Sequence, residues 1–186
     1  MHQVLTLDQG GRPSRWSSWE EAIVYKVKGL IAWSLGDETP YHGGVSRLTG
    51  EDTVVTVPNI IAVANEVFDG RIPLTNHNLF NRDNYICCYC GNQFCRGQLT
   101  REHIVPTSRG GANNWMNCAT ACKTCNNRKS DALLEELGWK LLYVPYIPTR
   151  AEALILAGRN IQSDQMQYLR DCLAHNSPLL TRVEFG

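Results

Sequence analysis

Two Cys-x-x-Cys pairs, Cys87-Cys88-Tyr89-Cys90 and Cys122-Lys123-Thr124-Cys125, constrain this chain more than any other feature. Each spacing lets two sulfurs turn toward one tetrahedral ion. The 31 residues between Cys90 and Cys122 are enough for a small folded unit between two knuckles. Seven of the eight cysteines lie within the 39 residues from Cys87 to Cys125. The first residues lack the basic start and long apolar stretch of a secretory signal. A reducing, cytoplasmic setting is therefore expected, which disfavours a disulfide framework. The expectation is a structural zinc ion held by the thiolates of Cys87, Cys90, Cys122 and Cys125. Such a closed site leaves no position for water, so it holds the fold and does no chemistry. A redox dithiol would need a strand–CxxC–helix pattern in a βαβ context, and neither pair has one. Cys88 and Cys118 read as packed small hydrophobes. Cys88 could replace Cys87 only with Cys-x-Cys spacing.

Between the knuckles, Leu99 to Pro106 reads as a short strand, stopped where Pro106 cannot donate to a ladder. Gly110-Gly111 and Asn113-Asn114 make a turn-rich loop. Trp115 to Thr120 reads as a returning strand, and Ala121 to Ser130 as a short basic helix carrying the second knuckle. The unit is strand, loop, strand, helix.

This arrangement resembles the HNH endonuclease family in its zinc-containing branch, with a ββα-metal fold. It is similar to HNH nucleases of the modified-cytosine restriction type. The resemblance rests on Cys-x-x-Cys-Gly (Cys87 to Gly91), Glu-His-Ile-Val-Pro-x-Ser-x-Gly-Gly (Glu102 to Gly111), Asn117, and Cys-x-x-Cys-Asn-x-x-Lys (Cys122 to Lys129). The letters of the family name fall on His103, Asn117 and Asn126. Arg82-Asp83 ahead of Cys87 is also usual in this branch. The resemblance is strong over residues 80–145 and weaker over the first 80.

Phosphodiester hydrolysis needs an activated water, charge neutralisation at phosphorus and help for the leaving oxygen. An imidazole titrates near neutral pH, so His103 is the natural general base. Glu102 offers a hard oxygen for Mg²⁺ or Mn²⁺. Neighbouring strand residues face opposite sides, so Glu102 and His103 can serve one site only where the strand bends or ends. The resemblance assigns the divalent ion to Glu102 and Asn126, with Asn127 the competing ligand. It makes His103 the base, and Asn117 a loop residue that holds His103 in place. Many family members carry Asp at the Glu102 position. The resemblance implies DNA as substrate. Of the surrounding cations, Arg101, Arg109, Arg128 and Lys129 are candidates for gripping its backbone.

The formal net charge of zero counts against a nucleic-acid partner only until it is resolved by region. Residues 1–86 carry −3, residues 87–131 carry +4 and residues 132–186 carry −1. The positive charge sits on the motif-bearing segment, so binding is expected to depend on a local patch and a metal ion.

The fold class expected is α+β, with a ββα-metal HNH nuclease core and a four-cysteine zinc site. A mixed N-terminal α/β region (1–80) precedes the core (81–145), and a helical extension (146–186) follows it. Val4 to Leu7, Leu30 to Leu35 and Val54 to Val57 read as strands. Ser18 and Glu21 form a capping box for a helix to about Lys28, stopped by Gly29. Pro58 reads as the start of a short helix through Ile60, Ile61 and Val63. Ala132 to Leu137 reads as a helix ended by Gly138. Thr149 with Glu152 opens another to about Ala157, and Ser163 caps one through Cys172 to His175. No apolar run reaches the roughly 18 residues needed to span a bilayer, so no membrane partner is expected.

The leading functional reading is a metal-dependent DNA endonuclease. The alternative is a zinc-stabilised nucleic-acid-binding module without catalysis, which would be expected to lose Glu102, His103 or Asn126. A redox or zinc-storage protein would need neither His103 nor the Gly-Gly loop. Specificity, nicking against double-strand cleavage, and homodimer against accessory partner are not legible. Restriction and phage defence are among the settings that the resemblance allows.

Overall fold

The computed structural model describes residues 3–66 and 70–182. The chain forms two compact units, one of Met1–Arg71 with Arg150–Gly186 and one of Ile72–Thr149. The N-terminal region and the tail thus share a unit, where the sequence had suggested separate segments. In chain order, Met1–Arg71 holds β1 (Gln3–Leu7), β2 (Pro13–Ser18), α1 (Trp19–Val27), β3 (Ile31–Val45) and β4 (Asp52–Val63). Ile72–Thr149 holds α2 (Asn76–Arg82), β5 (Leu99–His103), β6 (Cys118–Cys122), α3 (Lys123–Lys129) and α4 (Leu134–Leu137). The tail adds α5 (Arg150–Ala157), α6 (Ser163–Asp171) and α7 (Pro178–Arg182). Among the described residues, no helix is long and apolar enough to cross a membrane.

The first unit is a mixed four-stranded sheet in the order β2-β1-β4-β3, with β1 and β4 parallel at its centre. Strand side chains alternate between faces, so a continuous apolar run is buried on both. Leu5, Leu7, Ile60 and Ala62 pack on one side with Ala151, Leu154 and Leu169 of α5 and α6. Val4, Ile61 and Val63 pack on the other with Ala22 of α1. Those contacts explain why the tail helices belong with this sheet. Ser18 caps α1 with Glu21 completing the box, and Gly29 follows at φ 65°.

Two expectations fail here. Pro58 opens no helix, because Ile60 to Val63 are central strand residues held between β1 and β3. Pro58 lies opposite Glu38, beside a register shift between Leu35 and Glu38, where its missing N–H is tolerated. Helix α6 starts at Ser163, but its N-cap is Gln162, whose backbone N–H donates to the side chain of Gln165.

The second unit is organised around Arg82, which is fully buried. Its guanidinium donates from Nε and Nη2 to the two Asp83 oxygens at 2.7 and 3.1 Å. Nη1 donates to the carbonyls of Trp115 and Tyr146, and Nη2 to that of Cys118. The Trp115 and Tyr146 rings flank the cation. Asp83 Oδ2 also accepts from the Thr120 N–H, which ties the end of α2 to β6. Breaking a buried pair strands the other charge, so Arg82→Met is expected to cost about 3–5 kcal/mol. Denaturant unfolding of the zinc-loaded chain measures this, and a loss under about 1 kcal/mol would contradict the pinning role.

A four-cysteine cluster beside a candidate active site

The Sγ atoms of Cys87, Cys90, Cys122 and Cys125 lie within 4.8 Å of one another. Zinc–sulfur bonds of about 2.3 Å around a tetrahedral ion need sulfurs roughly 3.8 Å apart, so the four residues fit zinc. Both knuckles are shaped by local hydrogen bonds. Gly91, at φ 74°, donates its N–H to the Cys87 carbonyl. The Cys125 N–H points at Cys122 Sγ, which caps α3. Burial pushes the Cys90 and Cys125 thiols up, and crowding by the neighbouring sulfurs raises Cys125 further. Burial works against the Cys87 thiolate too, but the N–H groups of Cys90, Cys122 and Tyr89 hold its thiol below the usual range. A divalent cation at the centre relieves this crowding and binds the thiolate forms. Cys88 and Cys118 are fully buried and lie outside the cluster; Cys88 packs with Ala119 and Ala121, whereas the Cys118 thiol contacts Asn113 Oδ1.

Strands β5 and β6 form an antiparallel hairpin from Leu99 opposite Cys122 to His103 opposite Cys118. The returning strand begins at Cys118, three residues later than expected from Trp115. The delay comes from Asn114, whose Oδ1 accepts from the N–H groups of Met116 and Asn117 and folds a turn. Helix α3 begins at Lys123 rather than Ala121, because Cys122 is its cap.

The loop after β5 is held by Asn117. Its Oδ1 accepts from the Val105 N–H at 2.9 Å, and its Nδ2 donates to the Val105 and Ala112 carbonyls. A Cβ at Gly111 would run into the Val105 carbonyl and crowd Asn117 Nδ2, so the glycine is required there. Asn117 therefore splints the loop that follows His103. The side chain that touches the imidazole is Asn113, at 3.2 Å from Nε2.

Glu102, His103 and Asn126 line one open cavity of about 350 Å³, together with Arg101, Ser130 and Asp131. Glu102 is 3% exposed. Its Oε1 contacts Lys129 Nζ at 2.7 Å and accepts from the Tyr89 hydroxyl at 3.2 Å. Lys129 also donates to the His103 carbonyl at 3.0 Å. The assignment of Lys129 to backbone gripping is thus corrected. Its side chain is fully buried against Glu102, because the last turn of α3 faces β5. Arg101 is half-buried and committed to Asn76, Leu74 and Asn113. Arg109 pairs with Glu136 at the surface, and Arg128 lies over the Trp139 ring. These two remain exposed. Asn126 donates from Nδ2 to Thr100 Oγ1 at 2.6 Å, which leaves its amide oxygen as the other polar atom.

Residues 87–142 match the HNH endonuclease family. The HNH segment spans both knuckles, Glu102, His103, Asn117 and Asn126, and it lies wholly within the second unit. No curated protein matches the chain. This segment of the chain is thus similar to HNH endonucleases and contains a four-cysteine cluster suited to zinc. Sequence reasoning missed Tyr89, Asn113 and the buried role of Lys129. The sequence signals for Lys129 were its place in the Cys-x-x-Cys-Asn-x-x-Lys motif and its spacing of three from Asn126, which puts both on one helix face.

Proposed function

We propose that the second unit is a divalent-metal-dependent DNA endonuclease centre that hydrolyses phosphodiester bonds. The observation that carries this reading is the shared cavity of Glu102, His103 and Asn126 on the segment that matches HNH endonucleases. His103, at the end of β5, takes the proton from the attacking water. Lys129 and Tyr89 both engage Oε1 of Glu102, so Oε2 is its oxygen left to the cavity. That oxygen and the Asn126 amide oxygen form a hard donor set for Mg²⁺ or Mn²⁺. Such an ion, when bound, neutralises charge at the phosphate and at the leaving oxygen. Asn117 keeps the loop after His103 in register, and the exposed Arg109 and Arg128 are the cations available to a DNA backbone.

A second reading is favoured by one contact. The Lys129 ammonium already neutralises Glu102, as it would in a zinc-stabilised nucleic-acid-binding module without catalysis. Supercoiled plasmid separates the two. The zinc-loaded protein is expected to nick or linearise it when Mg²⁺ or Mn²⁺ is added. Binding of DNA without conversion, on single- and double-stranded substrates alike, would favour the second reading. Restriction of foreign DNA, as in phage defence, is a setting that fits such an activity, and comparing plain with cytosine-modified plasmid tests it.

A further inference from the structure

His103 Nε2 faces Asn113 Oδ1 at 3.2 Å. Distance alone does not say which group donates, because an imidazole nitrogen can do either and an amide can present oxygen or NH₂. Arg101 decides it. Its Nη1 lies 3.0 Å from the same amide atom, and a guanidinium has only donors, so that atom is the oxygen. Arg101 is itself fixed, through Nε to Asn76 Oδ1 at 3.1 Å and Nη2 to the Leu74 carbonyl at 2.8 Å. The Cys118 thiol, 3.6 Å away, is a third donor aimed at the same oxygen. An amide oxygen can only accept from His103. The neutral imidazole therefore carries its hydrogen on Nε2 and keeps the lone pair on Nδ1.

We infer that Asn113, with its amide oriented by Arg101, is a positioning residue that fixes the ring and tautomer of His103 so that Nδ1 is the basic nitrogen. This rests on the reading of His103 as the general base. Without the anchor the ring can rotate about its bond to Cβ and populate both tautomers, and only part of that population presents a basic nitrogen to water. Asn113 sits in an Asn-Asn pair that sequence reading takes as a turn, so its role is visible only from the convergence of donors on its oxygen.

Nitrogen-15 NMR of the zinc-loaded full chain, at a pH where His103 is neutral, reads the tautomer without reference to cutting. His103→Gln assigns its signals among the five histidines. The wild-type chain is expected to show one tautomer, with Nδ1 unprotonated, and Asn113→Ala is expected to show a mixture. In plasmid cleavage, Asn113→Ala should lower kcat about tenfold with KM for DNA unchanged, as loss of one orienting hydrogen bond implies. Asn113→Asp, which keeps the acceptor facing both Arg101 and His103, should recover the lost turnover. A single tautomer retained in Asn113→Ala, or a wild-type Nδ1 that carries the hydrogen, would overturn the inference. If the wild-type chain cuts no DNA, the nuclease reading fails while the NMR result still decides this one.

Discussion

Removing zinc from the full chain is expected to unfold Ile72–Thr149 while the sheet of the other unit persists. The two units have different sources of stability. The sheet is covered on both faces by apolar clusters that involve none of the four knuckle cysteines. In the second unit, Cys87 and Cys122 are themselves part of the buried cluster, with Cys88, Ala119 and Ala121. Structural zinc binding is worth roughly 10–16 kcal/mol in small metal-folded units, comparable to or greater than the ~5–15 kcal/mol that holds a whole domain folded. Cys122→Ser acts on the same balance from the protein side, because its hydroxyl can still cap α3 but does not replace the thiolate as a zinc ligand. The NMR signal of the buried Trp115 indole N–H, which donates to the Ile72 carbonyl, followed beside zinc content during chelation, measures the transition. A Cys122→Ser chain that keeps full zinc and a native Trp115 signal would contradict the four-cysteine assignment.

The features legible in the sequence were those fixed by local chemistry. Two Cys-x-x-Cys pairs can be recognised at a distance because a tetrahedral ion dictates their spacing. Ser18 with Glu21, Gly29 and Gly138 mark helix ends through bonds and backbone angles confined to a few residues. Pairing decides the rest. Ile60 to Val63 look equally able to form a short helix or a strand, and only the neighbours β1 and β3 settle the matter. Lys129 reads as one more cation on a basic helix until β5 brings Glu102 against it. Arg82 belongs to the Arg-Asp step that the resemblance marks, but its burial is not legible there, because its acceptors come from positions up to 64 residues away. In the candidate site, Glu102, His103 and Asn126 stood out through the family resemblance, and the structure brings the three to one cavity. Tyr89 and Asn113 did not stand out, since they matter through tertiary contacts.

His103→Ala is expected to reduce DNA cleavage by about 10²- to 10⁴-fold, the usual contribution of a positioned general base. The same change should leave the fold nearly intact. His103 is half-buried at the end of β5, and the one hydrogen bond its side chain makes among the described contacts is worth about 1 kcal/mol or less at an exposed position. Its backbone carbonyl, which accepts from Lys129, survives the substitution. Activity and stability should therefore separate, which they would not if His103 were only a packing residue. The most direct measurement is the rate of supercoiled plasmid conversion by wild-type and His103→Ala chains, matched for zinc content and melting temperature, with Mg²⁺ or Mn²⁺ present. Conversion by the wild-type chain and near-background conversion by the variant is the predicted result. Equal conversion by the two would contradict the assignment of His103 as the base.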